Sequence, residues 1–328
     1  MTARPTLRHR AEFTLVRAVL ATVRWMPQRL ALLAGDALGL AFYLLDRPHR
    51  RLTRGNLEAA FPRRSRRDIE RTVRGVFRHF GRLLMEILRV SALPSDRLRA
   101  LCVLDGVERA RRAAAPGRGV LFVTGHFGFW ELHALAHGLM VAPISVVARA
   151  LDNPLLHDLL ERVRTSTGNQ VIYRRGGLRR ILRALQQNQG VAMLIDQHIQ
   201  APDGVPVDFF GRPASTTSAV AILALRTGAV VMPVFTLPMP DGRYRMVYEH
   251  PVEPPADESP EAIRDFTQRC TDVLEMYVRN RPEYWLWMHR RWRTPEPEAH
   301  GMFPHAGRYE AEPVSENGNG GNGGNGDG

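Results

Sequence analysis

The sequence predicts an α/β fold: a mixed, largely parallel sheet flanked by helices, with N-terminal membrane-associated helices ahead of it. Three observations predict it. From about residue 100, short apolar runs alternate with helix-periodic segments, the pattern of βαβ units in a sheet covered on both faces. An apolar stretch over residues 30–45 is closed by arginines. After about residue 295 the chain turns to Pro, Gly and Asn and almost loses aliphatic residues, which predicts a disordered tail. The 328 residues then divide into anchoring helices over 1–60, an α/β domain over 61–295 and the tail over 296–328. No internal repeat is visible.

The segment "LALLAGDALGLAFYLL", residues 30–45, is about 24 Å long as a helix at about 1.5 Å per residue. A bilayer core is about 30 Å thick, and Asp36 sits mid-segment. The reading is a monotopic or barely spanning anchor with Arg47, Arg50, Arg51 and Arg54 at the headgroups; a buried helix of a soluble core is the alternative. The segment starts late and lacks a small-residue cleavage site, unlike a signal peptide. Over 66–90, Ile69, Val73, Phe77, Phe80, Leu84, Ile87 and Leu88 recur at helical spacing beneath an Arg-rich face, which predicts an amphipathic helix. The runs at 119–124, 143–148, 170–173, 190–196 and 229–235 read as buried strands, with helices near 130–140, 154–167, 177–188 and 216–227. Residues 241–250 read as a later strand, for which an antiparallel pairing stays open. A helix from Pro260, capped by Ser259, is stopped by Pro282.

Composition narrows the chemistry. All 45 Lys and Arg positions are Arg, and the net charge is +12. A lysine nucleophile, base or P-loop is therefore excluded, and anionic partners are favoured. The two cysteines, Cys102 and Cys270, make neither a disulfide framework nor a Cys-rich zinc site. GxSxG and Walker motifs are absent and no GxGxxG follows a strand-like run, so serine hydrolase, P-loop NTPase and Rossmann dehydrogenase lose their main support.

The stretch "GVLFVTGHFGFWELHALAH" (119–137) carries the candidate site. His126 falls in a strand-to-helix connection, where ligands bind in such sheets. Glu131 falls in the first helical turn, close enough to reach back to one ring nitrogen and leave the other to take a proton. The nucleophile would then be a substrate hydroxyl or amine. Two other readings stand beside it. His126, Glu131 and His137 could hold a metal in a hydrolase, although the zincin spacing of His133 and His137 lacks the adjacent Glu. Alternatively, His126 only caps a helix and Glu131 is solvated.

Further along, "FFGRPASTTSAV" places Arg212 before a helix start capped by Ser215, Thr216 or Thr217, a possible phosphate site or ordinary capping. Arg149 lies just past a strand. "YWLWMHRRWRT" sets Tyr284, Trp285, Trp287 and Trp292 beside Arg290, Arg291 and Arg293. That suits a membrane interface with anionic headgroups, a single-stranded nucleic-acid binder or a Trp-rich core.

Four stretches in order, "GHFGFWE", "LDNPLLHDLLERVR…GNQVIYRRGG", "IDQHIQAPDGVPVDFFGRPASTTSAVAILALRTGAVVMPVF" and "RPEYWLWMHRRWRT", resemble the lipid A biosynthesis acyltransferases of lauroyl and myristoyl type. That family is a branch of the lysophospholipid acyltransferase superfamily. The resemblance spans roughly residues 10–295; the acid five residues beyond His126 is Glu131, where the superfamily more often shows Asp. It implies an enzyme on the cytoplasmic face of the inner membrane. It would move an acyl chain from acyl carrier protein to a hydroxyl of a lipid A precursor or related glycolipid. By the match His126 is the general base, Glu131 supports it, and Arg164 and Asp196 occupy family active-site positions. Arg164 is the candidate to stabilise the oxyanion of thioester transfer, with Arg149 a weaker one. Arg149, Arg212, Ser215, Thr216, Arg290 and Arg291 are the candidate substrate contacts. No metal or cofactor is demanded. A non-catalytic basic module that binds nucleic acid or a membrane surface is a third reading; the long α/β pattern around the His–Glu pair weighs against it, and no nucleic-acid partner is expected.

Overall fold

The computed structural model describes residues 5–174, 176–200 and 203–293; the expected tail over 296–328 lies outside them. Four helices open the chain: α1 (Leu7–Val23), α2 (Gln28–Leu45), α3 (Arg47–Ala60) and α4 (Arg66–Val90). There follow α5 (Ser95–Ala100), β1 (Cys102–Asp105), α6 (Val107–Ala114), β2 (Val120–Thr124), α7 (Trp130–Met140), β3 (Ile144–Ala148), α8 (Pro154–Thr165) and β4 (Gln170–Tyr173). Next are α9 (Leu178–Gln186), β5 (Gly190–Leu194), β6 (Gly204–Asp208), β7 (Pro213–Thr217), α10 (Ala219–Thr227), β8 (Val230–Pro238), β9 (Tyr244–Tyr248) and α11 (Pro260–Asn280).

Seven strands form one sheet in the order β1-β9-β8-β2-β5-β3-β4. The block from β8 to β4 is parallel. β9 runs antiparallel to β8, and β1 parallel to β9. The sheet is thus mixed and largely parallel, as the alternation predicts. The sequence reading omits β1 and the β6–β7 hairpin. It also starts a helix at 216, whereas Pro213–Thr217 is a strand and α10 begins at Ala219.

Alternation along each strand divides the core. Val120, Phe122, Ile144 and Met232 face α7, with Leu132 and Leu135 against them. Leu121, Val123, Val191 and Val231 face the opposite layer of α9, α10 and α11. A third, aromatic core sits at one end, built from Phe77, Phe127, Phe209, Phe235, Trp285 and Trp287. Trp285 and Trp287 are fully buried, so of the open readings of that segment these two rings follow the Trp-rich core rather than a membrane interface.

α2 and α4 cross almost backbone to backbone. A Cβ on Gly81 would run into the Gly35 carbonyl oxygen, and one on Gly39 into the Phe77 carbonyl oxygen. The close approach lets Asp36 meet Arg78 (2.7 Å) and Arg82 (2.6 Å) of α4, which explains an acid in the middle of an apolar helix. The rest of α2 stays uncovered: Leu30, Leu33, Phe42, Leu44 and Leu45 are all more than half exposed. Among the described residues it is the one helix long and apolar enough to cross a membrane.

Gly81→Ala is expected to lower stability by about 1–3 kcal/mol through overpacking. Gly55→Ala, in open space on α3, is expected to raise it by about 0.5–1 kcal/mol. Thermal unfolding of both beside the wild type checks the pair. A Gly81→Ala protein melting at or above the wild-type temperature would contradict the crossing.

Candidate active site

The site begins with strand register. β2 and β5 are parallel neighbours, with Thr124 opposite Leu194, and the Ile195 N–H donates to the Thr124 carbonyl (2.9 Å). Two residues beyond each strand end come His126 and Asp196, so the register brings them side by side. The His126 backbone N–H donates to Asp196 Oδ2 at 2.7 Å, and the ring Nδ1 lies 2.8 Å from Asp196 Oδ1. The Trp285 indole N–H donates to Asp196 Oδ2 (2.8 Å). Both carboxylate oxygens are thereby held and the ring's orientation is fixed.

The glycines around His126 clear the space this needs. A Cβ on Gly125 would stand 3.0 Å from Asp196 Oδ2 and 2.9 Å from the Leu274 side chain. Gly128 has φ +60, and a Cβ there would collide with the Thr236 carbonyl oxygen. The segment after α11 closes over the turn: Phe127 bridges Trp285, and the Leu286 N–H donates to the His126 carbonyl (3.2 Å).

This arrangement corrects one expectation. The carboxylate on His126 is Asp196; Glu131 does not reach the ring. Glu131 instead receives Arg164 in a two-pronged ion pair, Nε to Oε2 at 3.0 Å and Nη2 to Oε1. The reason is geometric: α7 starts at Trp130, whose ring packs edge-on to His126 at 5.1 Å between centroids, while α8 brings Arg164 across to Glu131.

Charge follows the geometry. Burial alone would lower the His126 pKa, but the Asp196 carboxylate, helped by Glu131, outweighs it and holds the imidazole above its ordinary value. Burial would raise Asp196; the His126 charge and hydrogen bonds hold it well below the usual carboxylate range. Burial also works against the Arg164 cation, and Glu131 more than compensates.

His126, Trp130, Glu131 and Arg164 line one cavity of about 360 Å³ that runs between α7 and the sheet. Nδ1 is taken by Asp196, which leaves Nε2 as the ring nitrogen free to exchange a proton. Gln197 and Arg174 also line this cavity; sequence reading gave no signal for either. His133 and His137, deeper in, bond through Nδ1 to Thr236 and Tyr248, both at 2.9 Å. Burial pushes their pKa values down to about 3 and about 4. With Glu131 engaged by Arg164 and His137 by Tyr248, the expected alternative ligand set of His126, Glu131 and His137 is not assembled. Among the described residues no three His, Cys, Asp or Glu side chains converge as metal ligands.

The other candidate contacts separate. Arg149 lines the cavity rim, exposed and 3.2 Å from Asp152. Ser215 and Thr216 do not begin a helix. Ser215 donates to the Ile199 carbonyl, and Thr216 is buried beneath Arg291. Thr217 alone of the three turns back to the α10 start, accepting from the Ala219 N–H (3.2 Å). Arg291 is 1% exposed; it donates to the Ser215 carbonyl and the Thr216 hydroxyl and so pins β7 to the closing segment. Burial pushes its pKa down to about 10. Arg212 stacks on Trp292 at 4.6 Å, and Arg290 is exposed. Of the six expected substrate contacts, the described cavity includes Arg149.

Residues 1–294 match the family described as bacterial lipid A biosynthesis acyltransferase. The lipid A biosynthesis lauroyltransferase of Escherichia coli (strain K12) is 29% identical over 279 residues, covering 84% of this chain and 89% of that one. The lipid A biosynthesis palmitoleoyltransferase of the same organism is 28% identical over 246 residues, covering 74% and 78%. A phosphatidylinositol mannoside acyltransferase of Mycolicibacterium smegmatis is 26% identical over 225 residues, covering 67% and 72%. With the match running from the first helix through the segment that closes over His126, the chain belongs to the bacterial lipid A biosynthesis acyltransferase family and is an enzyme that transfers acyl groups.

Proposed function

We propose that this enzyme moves a fatty acyl chain from an acyl carrier protein thioester to a hydroxyl of a lipid A precursor, with His126 as general base. The observation that carries the reading is the His126–Asp196 pair at the head of the cavity. Nε2 takes the proton of the acceptor hydroxyl, and that oxygen attacks the thioester carbonyl. The tetrahedral oxyanion collapses with loss of the thiolate, which takes the proton back from the imidazolium. Asp196 keeps the ring in the tautomer with Nε2 unprotonated and stabilises its cationic form. Arg164 offers its Nη1, the terminal nitrogen not bonded to Glu131, to the oxyanion. Glu131 fixes that guanidinium and adds negative charge near the imidazolium.

The acceptor follows from the family and from relatives named for lipid A biosynthesis. A relative named for phosphatidylinositol mannoside favours, as second reading, another glycolipid with the same hydroxyl chemistry. The donor reading draws support from the net charge of +12, since acyl carrier proteins are acidic. Residues 1–60 act in this reading as the membrane contact of the catalytic domain over 61–295. The uncovered apolar residues of α2, followed by Arg47, Arg50 and Arg51, suit an interfacial seat on the cytoplasmic face of the inner membrane.

An assay with acyl carrier protein thioesters and a lipid A precursor tests the reading. His126→Ala is expected to lower kcat/KM by about 10²–10⁴; unchanged turnover would remove His126 as the base. In the wild type, kcat/KM is expected to rise with pH along a limb above the ordinary imidazole pKa, because the base must be neutral and Asp196 favours its protonated form. Asp196→Asn removes that charge and is expected to move the limb to lower pH. A limb that stays in place would detach Asp196 from the base.

Arg164→Ala is expected to cut kcat by about 10²–10³ with KM little changed. A rise confined to KM would instead make it a binding residue. Leu33→Glu with Leu44→Glu is expected to release the enzyme from anionic vesicles in a flotation assay while its fold, read by circular dichroism, persists.

A further inference from the structure

Two buried polar atoms, Thr124 Oγ1 and His133 Nε2, have no hydrogen-bond partner among the described residues. Both side chains line the cavity beside His126. A polar atom shut away from water carries a desolvation cost that only a partner removes. Two such atoms in one space point to a ligand group that serves both.

The register of strand and helix brings them together. The Trp130 ring meets His126 at 5.1 Å between centroids, and the His137 ring meets Phe122 at 4.7 Å, so α7 runs back along β2. Thr124 lies midway between Phe122 and His126, and His133 near the middle between Trp130 and His137. Alternation gives Thr124 the same face as Phe122, and helical spacing gives His133 the same face as His137. The sheet agrees. Val123 pairs with Pro233 and Val234 with Tyr248, so Thr124, Val234 and Tyr248 fall in one row. The His133 ring lies 5.0 Å from the ring of Tyr248.

Their hydrogen-bonding roles are complementary. His133 is 5% exposed. Its Nδ1 lies 2.9 Å from the Thr236 hydroxyl, and the ring donates to the Phe235 backbone. The ring proton therefore sits on Nδ1, and Nε2 is a bare acceptor. Burial keeps the ring neutral, with its pKa pushed down to about 3. The Thr124 hydroxyl can donate. A group that serves both must give one hydrogen to Nε2 and accept one from Thr124. A hydroxyl does both, a keto oxygen only accepts, and a methylene does neither.

We propose that Thr124 and His133 form a subsite for a hydroxyl carried on the acyl chain, at about its fourth to sixth carbon. The inference rests on the reading above, in which the cavity holds the donor's acyl chain with its carbonyl level with His126. His133 stands about 4.5 Å down α7 from Trp130 at about 1.5 Å per residue. Thr124 stands about 6.6 Å down β2 from His126 at about 3.3 Å per residue. Carbon–carbon bonds of about 1.5 Å at tetrahedral angles advance about 1.25 Å each, so about four or five of them lead from the carbonyl to the pair.

The test is the affinity of the purified protein for three straight-chain fatty acids of one length, which needs no turnover. One is unsubstituted, one carries a hydroxyl at about the fifth carbon, and one carries it beside the methyl end. Wild type is expected to bind the second about tenfold more tightly than the first, and the third more weakly than either. Thr124→Val removes the hydroxyl at nearly constant shape, and His133→Phe removes the bare nitrogen and keeps a ring. Each is expected to bring the first two acids within about twofold of each other. Binding of the unsubstituted acid reports that a variant's cavity is intact, and Thr124→Val carries the test where His133→Phe does not fold. Equal binding of the first two acids by wild type leaves the pair to water and overturns the subsite. A preference that survives Thr124→Val overturns it too. Acyl transfer from the matching thioesters is measured alongside. Transfer failing with both chains while the binding preference stands counts against the proposed reaction and leaves the subsite. Transfer without any preference in binding does the reverse.

Discussion

The parallel register of β2 and β5 is the constraint on which the site depends. Because Thr124 sits opposite Leu194, residues at equal offsets past the two strand ends become neighbours. His126 and Asp196 are 70 positions apart in the chain yet share two hydrogen bonds. A slip of one residue would turn every side chain of a strand to the other face; here it would also part the imidazole from its carboxylate. Leu121, Val123, Val191 and Val231 lock the register from one side, and Val120, Phe122 and Met232 from the other. The core is therefore the device that aims the ring. The same register sets the rows of side chains along the cavity, so the imidazole and the cavity lining are positioned by one set of strand pairings.

A second constraint acts from outside the sheet. The third, aromatic core takes its walls from α4, the His126 turn and the closing segment, through Phe77, Phe127, Trp285 and Trp287. Trp285 packs in this core while its indole N–H holds Asp196. α4 in turn carries α2 through the glycine crossing. The uncovered apolar face of α2 and the carboxylate beside His126 are thus linked by one run of packed elements, so the membrane seat proposed for α2 would fix the orientation of the cavity mouth relative to the lipid surface.

Much of this was legible in the sequence, and the misses share a cause. The five runs read as buried strands between 119 and 235 all became strands because composition and length suffice to mark one, and α4 followed its stripe from Arg66 to Val90. His126 stood out because two glycines flank it in a strand-to-helix turn. Its partner was misassigned: Glu131 is near in sequence, whereas the true contact comes through a strand pairing that no local pattern encodes. A faint signal was present, since "VLFVTGH" and "GVAMLID" carry His126 and Asp196 at the same offset from the strand start. The arginines misled in another way. Arg291 is buried, Arg164 and Arg89 are paired with Glu131 and Glu86, and a count of basic residues cannot tell these from the exposed ones that carry the net charge.

The two carboxylates near His126 differ in what they neutralise, and that difference gives the site its polarity. Among the described residues Asp196 has no cation besides the imidazole ring as a hydrogen-bond partner, so a protonated His126 supplies its nearest balancing charge, with buried Arg291 acting from further away. In the proposed mechanism it therefore favours the state formed as the acceptor loses its proton. Glu131 is already matched by Arg164, so its effect on the ring is weaker, and the pair together adds no net charge to the cavity. A neutral pair beside a charge-sensitive one leaves the resting cavity compatible with an apolar chain and places a guanidinium at its head. Deeper down, His133 and His137 stay neutral because burial opposes their protonation. In the proposed reaction charge appears only at the mouth, where Asp196 and Arg164 stand beside the imidazolium and the oxyanion.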